Sequence, residues 1–238
     1  MHRTEDQWID AYRQKDGLWI HDGKPERPHA LLTSGKHSNG FFDSRKIIVD
    51  EWLMLEAAHD LLMLLAARTG QLPEFDVVIG PQTGATKLAE LMCEFVNELR
   101  GLAARITDSR IGDKVCLFMS PAKHEVDGIK SMVFTPEEVA LLPGKKVLLC
   151  EDVISTGGSI DLTAEAVVVA GGEPLSYLCT LVNRSGQKRI SNKKIIALIN
   201  RDMPMWETDE CPHCLQGSEA IRPKDPEGKN WARLNASY

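Results

Sequence analysis

The chain predicts an α/β fold. Two stretches each read as strand, glycine-bearing turn and helix, and further apolar runs of strand length separate them. The first is 75–79, a β-branched run that enters Gly80-Pro81-Gln82-Thr83-Gly84-Ala85-Thr86-Lys87 and continues as a helical pattern over 88–99. The second is KVLLCEDVISTGGSI, 146–160. Its four apolar residues, 147–150, are too few for a helix and are bounded by charge, which predicts a buried parallel strand. The acids Glu151 and Asp152 follow, then Ser155, Thr156, Gly157, Gly158 and Ser159, then a helical pattern over 160–169. Open α/β sheets bind ligands beyond the carboxyl ends of their strands, so both turns are expected at one sheet edge.

The remaining elements follow in order. Residues 4–15 carry Trp8, Ile9, Ala11 and Tyr12 at helical spacing behind Thr4, a suitable N-cap, and predict a short amphipathic helix. Gly23, Pro25 and Pro28 make 18–32 loop with a short strand. The segment LLTSGKHSNGFFDSRKI, 31–47, joins a glycine turn to Lys36, His37 and Arg45 and to the pair Phe41 and Phe42; its residues alone read as a hairpin with one aromatic buried. A leucine-rich helix is expected over 51–68, closed by Gly70 and Pro73. Residues 102–106 and 115–118 read as strands. SPAKHEVDGIK, 120–130, reads as a solvated loop with three cations. After the acid-bearing turn, Gly171 and Gly172 end the helix, 175–182 is a buried strand that delivers Asn183 and Arg184 to the same edge, and 195–199 is the last strand. The tail 203–238 is rich in proline, glycine and charge.

Composition narrows the function. A net charge of −6 disfavours nonspecific binding to nucleic acid or a membrane surface, while leaving room for a local basic site. The N-terminal MHRTEDQWID lacks the apolar core of a signal peptide, and the most apolar stretch, 52–67, is broken by Glu56, His59 and Asp60, which predicts a core helix and not a membrane span. Cys93, Cys116, Cys150 and Cys179 lie in apolar patterns and are expected as buried free thiols of a cytoplasmic protein.

The two turns suggest a phosphorylated ligand. Glycines let the backbone approach an anion, and hydroxyls with helix N-terminal N–H groups satisfy phosphate oxygens. Two acids beside that turn repel phosphate and suit neutral hydroxyls, a cation or developing positive charge. Neither G-x-x-x-x-G-K-[ST] nor G-x-G-x-x-G occurs. The stretch 146–160 closely resembles the phosphoribosyl-pyrophosphate (PRPP) motif of type I phosphoribosyltransferases, and the order of parts from 31 to 186 is most like that of orotate phosphoribosyltransferases.

That resemblance implies the type I phosphoribosyltransferase fold, a parallel sheet flanked by helices with an N-terminal hood. It divides the chain into a helix and hood segment (1–50), a core (51–202) and a tail (203–238). It further implies that Glu151 and Asp152 hold ribose hydroxyls, that Ser155, Thr156, Gly157, Gly158 and Ser159 hold the 5′-phosphate, and that Gln82, Thr83, Gly84 and Ala85 meet pyrophosphate. Gly80, Pro81, Gly84, Leu88 and Ala89 stand where the family pattern expects them. Thr33, Phe41, Phe42 and Arg184 would face the base, although Thr33 occupies a position where many orotate enzymes carry lysine. Arg184, in LVNRSG, reads from its residues alone equally as a surface charge; the resemblance makes it a grip on the substrate carboxylate. Lys123 and His124, with Lys130 behind them, would belong to a mobile lid, and Lys123, His124 and Asp152 would be catalytic.

The activity implied is transfer of ribose 5-phosphate from PRPP to orotate, with Mg²⁺ carried by PRPP, in a cytoplasmic homodimer that binds neither nucleic acid nor membrane. Transfer to another nucleobase (purine, xanthine or uracil) and a non-catalytic PRPP or nucleotide sensor stay open as alternatives. Lastly, Cys211-Pro212-His213-Cys214 supplies half of a tetrahedral zinc site with no second pair after it. It is compatible with a tight knuckle packing the tail or with metal shared across a dimer, and His213 is poorly placed as a ligand.

Overall fold

The computed structural model describes residues 2–107 and 115–238. Helix α1 (Glu5–Gln14) starts at Thr4, whose hydroxyl accepts from Gln7 N while the Gln7 side chain accepts from Thr4 N. Four short strands follow, β1 (Leu18–Ile20), β2 (His29–Leu31), β3 (His37–Ser38) and β4 (Gly40–Phe42), then α2 (Arg45–Ile48) and the long α3 (Glu51–Thr69), ended by Gly70 at φ 87°. The core continues through β5 (Val77–Ile79), α4 (Thr86–Thr107), β6 (Leu117–Met119), β7 (Ala122–Val126), β8 (Ile129–Val133), α5 (Pro136–Leu141), β9 (Lys146–Ile154), α6 (Gly158–Val169), β10 (Glu173–Asn183), β11 (Arg189–Ile190) and β12 (Lys193–Asn200). The C-terminal segment adds β13 (Met205–Trp206), α7 (Pro212–Leu215), β14 (Ala220–Ile221) and α8 (Lys229–Asn235).

The central sheet has the order β11-β12-β10-β9-β5-β6, parallel throughout except for β11 at the edge. The chain runs from β5 outward to β6 and then returns to the other side of β5 for β9. The strand order therefore reverses between β5 and β9, where a crevice opens beyond the carboxyl ends. Burial on both faces explains the apolar strands. Val78, Leu148, Cys150 and Leu181 join the core shared with α1, α3 and α4. Val77, Ile79, Val147, Leu149 and Leu178 face α6 through Ile160, Ala164 and Val167. The four cysteines expected in apolar patterns are buried and free. No helix among the described residues is long and apolar enough to cross a membrane.

A four-stranded sheet, β13-β3-β2-β14, forms the hood beside the crevice. Its strands come from both chain ends, and it encloses a small core of Trp19, Ala30, Leu32, Ile221, Trp231 and Leu234. The indole N–H of Trp19 donates to the Leu234 carbonyl at 2.8 Å. The tail thus completes the hood.

Two expectations are corrected. Residues 102–106 are not a strand but lie within α4, which passes through Gly101. A single glycine inside a helix costs only about 1 kcal/mol, too little to stop one whose other face is anchored in the core. The strand expected at 115–118 is β6, two residues later. The loop expected at 120–130 is instead a hairpin, β7 with β8, whose turn residues Asp127 and Gly128 have φ of 52° and 79°. Asp-Gly between extended segments is the sequence signal of such a turn.

Candidate active site

The turn after β9 is shaped by what surrounds Gly157. That residue is the N-cap of α6 with φ 89°, and a Cβ there would sit 2.6 Å from Ile190 Cδ1, so both conformation and packing require glycine. No side chain caps α6, and its first-turn N–H groups have no partner within the helix. They face a small cradle of about 50 Å³ lined by residues 153–160 and Glu151, a geometry suited to an anion.

The turn after β5 is tied to the next strand. Gly80 N donates to Met119 O (3.2 Å), Gln82 N to Pro121 O (3.1 Å), and the Ser120 hydroxyl to Gly80 O (2.8 Å). The Gln82–Thr83 peptide is cis. A Cβ on Gly84 would lie 2.6 Å from Asp152 Cγ, so the turn touches the acid pair and only a glycine allows the approach. β5 and β9 pair in parallel with Ile79 opposite Leu149, which brings both turns to one edge.

Together the turns line a cleft of about 830 Å³. Gln82, Thr83, Gly84, Glu151, Asp152, Ser155, Thr156, Gly158 and Ser159 reach it. Ala85 does not: it is fully buried in the core, and its N–H is spent on Pro81 O. Above the cleft, the β7–β8 register sets Lys123 opposite Met132 and Glu125 opposite Lys130, on one hairpin face. Lys123 and Lys130 consequently line the cleft, whereas His124, opposite Ser131, belongs to the other face, because alternate residues of a strand diverge. Arg45 and Lys224 complete the cationic rim. Lys224 comes from the tail, and nothing local in the sequence points to it.

A side pocket of about 150 Å³ adjoins the cleft under the hood and is lined by Thr33, Ser34, Phe41, Phe42, Arg184 and Lys224 among others. Phe41 is half-buried against Trp231, with Lys224 Nζ 5.8 Å from its ring centre. Phe42 serves chiefly the core, edge-on to Tyr12 at 5.0 Å. Arg184 is buried, and two of its five N–H groups tie it to the hood: Nη1 donates to Gly40 O (3.0 Å) and Nη2 to Ser38 Oγ (2.5 Å), while Nε has no partner. Burial pulls its pKa down to about 10, which leaves it a cation at neutral pH.

The model of the phosphoribosyl transferase domain matches residues 51–212. The chain belongs to the phosphoribosyltransferase family. It is 31% identical over 220 residues to an orotate phosphoribosyltransferase of Nitratiruptor sp., covering 87% of this chain and 95% of that one. It is 27% identical to an orotate phosphoribosyltransferase of Heliobacterium modesticaldum, over 92% and 97% of the two chains. In fold it is similar to the Mycobacterium tuberculosis H37Rv orotate phosphoribosyltransferase (TM-score 0.52, 17% identity, covering 82% of this chain and 95% of that one). The chain is therefore a glycosyltransferase-type enzyme with the type I phosphoribosyltransferase fold.

Two features of this phosphoribosyltransferase concern charge. Glu151 is buried and sits against Asp152, whose N–H donates to Glu151 Oε1 at 3.0 Å. Burial first, and the Asp152 charge second, raise the Glu151 pKa well above the ordinary carboxyl range, with Lys123 pulling weakly the other way. Cys211 and Cys214 do not line the cleft; they meet His29 and His37, from β2 and β3, under the hood.

The Glu151 environment sets a pH dependence. A carboxyl raised in the folded state costs no stability below its ordinary value of 4.5; the loss builds as pH climbs from there to the raised value, where only the unfolded chain ionises, and then levels off. Glu151→Gln therefore changes the thermal midpoint of the ligand-free enzyme little near about pH 4 and raises it by several degrees (roughly 3–6 °C) near about pH 8. Scanning calorimetry at both pH values checks this, and an equal offset at the two would contradict it.

Proposed function

We propose that the enzyme transfers ribose 5-phosphate from PRPP to orotate, releasing pyrophosphate and forming orotidine 5′-phosphate, a step of pyrimidine biosynthesis. The observation that carries the reading is the contact of Gly84 with Asp152, which makes two anion-cradling turns and an acid pair into one continuous site. The names of the curated relatives support orotate as the base.

In the reaction, a ring nitrogen of the base forms the bond to C1 of the ribose as the bond from C1 to the pyrophosphate oxygen breaks, through an oxocarbenium-like transition state. The protein's task is to align the two reactants and to stabilise charge on the leaving group. The α6 N-terminus and Ser155, Thr156 and Ser159 hold the 5′-phosphate. Glu151 and Asp152 accept from the ribose hydroxyls, and raising the Glu151 pKa lets it also donate. Gln82, Thr83 and Gly84 meet pyrophosphate. The hard oxygen donor of Asp152 at the cleft fits Mg²⁺ carried mainly on substrate oxygens. When bound, Mg²⁺ supplies Lewis acidity and a template at the pyrophosphate and ribose oxygens. Lys123, on the exposed hairpin, brings a cation to the departing pyrophosphate. A cytoplasmic homodimer accompanies this reading.

The base side pocket favours an anionic ring. Thr33 stands where a lysine is common in orotate enzymes, and Lys224 from the tail lines the same pocket beside Arg184. Lys224 supplies the cation that the turn lacks, while Arg184 holds the hood to the sheet and adds its field.

Three measurements follow. With PRPP, Mg²⁺ and a panel of orotate, uracil, adenine, guanine and xanthine, pyrophosphate release should be fastest with orotate; preference for an uncharged base would overturn the assignment, and no turnover with any base would point to a sensor. Lys123→Ala should lower kcat about 100-fold while changing either KM less than about threefold, and an unchanged kcat removes Lys123 from the mechanism. Lys224→Ala should raise KM for orotate about tenfold, as expected for one charge-assisted contact, and leave KM for PRPP nearly unaltered; steady-state kinetics with each substrate varied separates the two.

A further inference from the structure

We propose that His29, His37, Cys211 and Cys214 form a tetrahedral zinc site that clamps the C-terminal tail to the hood. Their ligand atoms all lie within 4.8 Å of one another. His29 Nε2 is 3.0 Å from His37 Nδ1 and 3.5 Å from each of the two thiol sulfurs, and Cys214 Sγ is 3.2 Å from His37 Nδ1. A tetrahedral centre with Zn–N near ~2.05 Å and Zn–S near ~2.3 Å has edges of about 3.4 Å between nitrogens and about 3.6 Å between nitrogen and sulfur. Those four edges match that polyhedron to within about 0.4 Å, and the other two stay within 4.8 Å.

Protons decide between a metal site and a hydrogen-bonded knuckle. The Ser218 hydroxyl donates its single proton to Arg27 O at 2.6 Å, so at 2.8 Å it accepts from His29 Nδ1–H. That fixes the tautomer and leaves His29 Nε2 a bare lone pair. His37 Nδ1 lies 3.0 Å away: as a donor it takes this lone pair from both thiols, and as a second lone pair it repels the first. A cation at the centre satisfies all four groups. His37 mirrors the arrangement, with Nε2 directed outward to Thr208 Oγ1 at 3.4 Å and Nδ1 inward. An outward hydrogen bond on each ligating imidazole is the usual support of a zinc site.

Burial points the same way: His29 and Cys211 are fully buried and His37 nearly so, which leaves no water to satisfy them. Both cysteines are free thiols, and a mixed nitrogen and thiolate tetrahedron selects zinc over magnesium or calcium. Cys211 precedes α7 and Cys214 lies within it, so one helical turn aims both sulfurs at β2 and β3. His213 between them is not among the converging groups; its ring packs on His21 at 4.1 Å and on His29 at 5.4 Å. The turn between His29 and His37 carries Thr33 and Ser34 to the cleft, so the clamp also holds one wall of that cleft. Its existence does not depend on which base the enzyme uses.

The test is metal analysis of the full chain purified without chelators. The expected result is about one zinc per chain, falling below about a tenth in Cys211→Ser/Cys214→Ser and in His37→Ala, and unchanged in His213→Ala. Because the ligand variants can fail to fold, the unaltered protein is also stripped with a chelator and titrated with Co²⁺. One equivalent should develop the visible ligand-field bands and thiolate charge-transfer absorption of a tetrahedral site, and zinc should abolish them. Metal-free protein whose thiols take up no Co²⁺, a Cys211–Cys214 disulfide in the purified chain, stoichiometric iron in place of zinc, or zinc lost from His213→Ala would each overturn the proposal. All of these readouts are independent of turnover.

Discussion

The parallel pairing of β5 with β9 is the constraint on which the site depends. Ile79 lies opposite Leu149, so β9 extends past the end of β5 and carries Glu151 and Asp152 up to the turn that follows Ile79. The contact there is so close that a methyl group at Gly84 would overlap the Asp152 carboxylate. Slipping the register by one residue would reverse which side chains face α6 and which face α3 and α4, so the packing of two helical layers holds the turns together. Site geometry is thus a by-product of core packing.

Charge is arranged against this frame. A buried acid, a second acid beside it and cations on three separate elements share one cleft. Carboxylates so placed cost free energy in the ligand-free protein, and burial answers by favouring the protonated form of Glu151. The cations come from the β7–β8 hairpin, from the start of α2 and from the tail segment ahead of α8.

The hood shows a different logic. Its sheet has strands of two or three residues, and neither chain end supplies enough apolar surface alone. Trp19, Trp231 and Leu234 join the two ends in one small core, and the His29, His37, Cys211 and Cys214 cluster lies on the same seam. Closing the chain ends over the crevice delivers Lys224 to the small pocket that Thr33 also lines.

Local chemistry was legible from the residues. Strand, acid pair, glycine turn and helix are specified by neighbours a few positions apart, so Gly157 and Gly84 could be singled out, and the α/β class followed from two such units. The 120–130 hairpin was also readable in its Asp-Gly turn, but polar strands with little burial carry no hydrophobic period to betray them. The strand expected at 102–106 failed in the opposite direction, since a helix anchored along one face runs on through Gly101. What the sequence could not hold was any pairing between distant segments. The register of β5 on β9, the tie of Arg184 to Gly40 and Ser38, the loss of Ala85 to the core, the inward face of Lys130 and the meeting of Cys211 with His29 all arise from long-range packing. Turn formation is a local free-energy minimum and is written in consecutive residues; the partner across a cleft is chosen only when the whole chain buries its apolar surface at once.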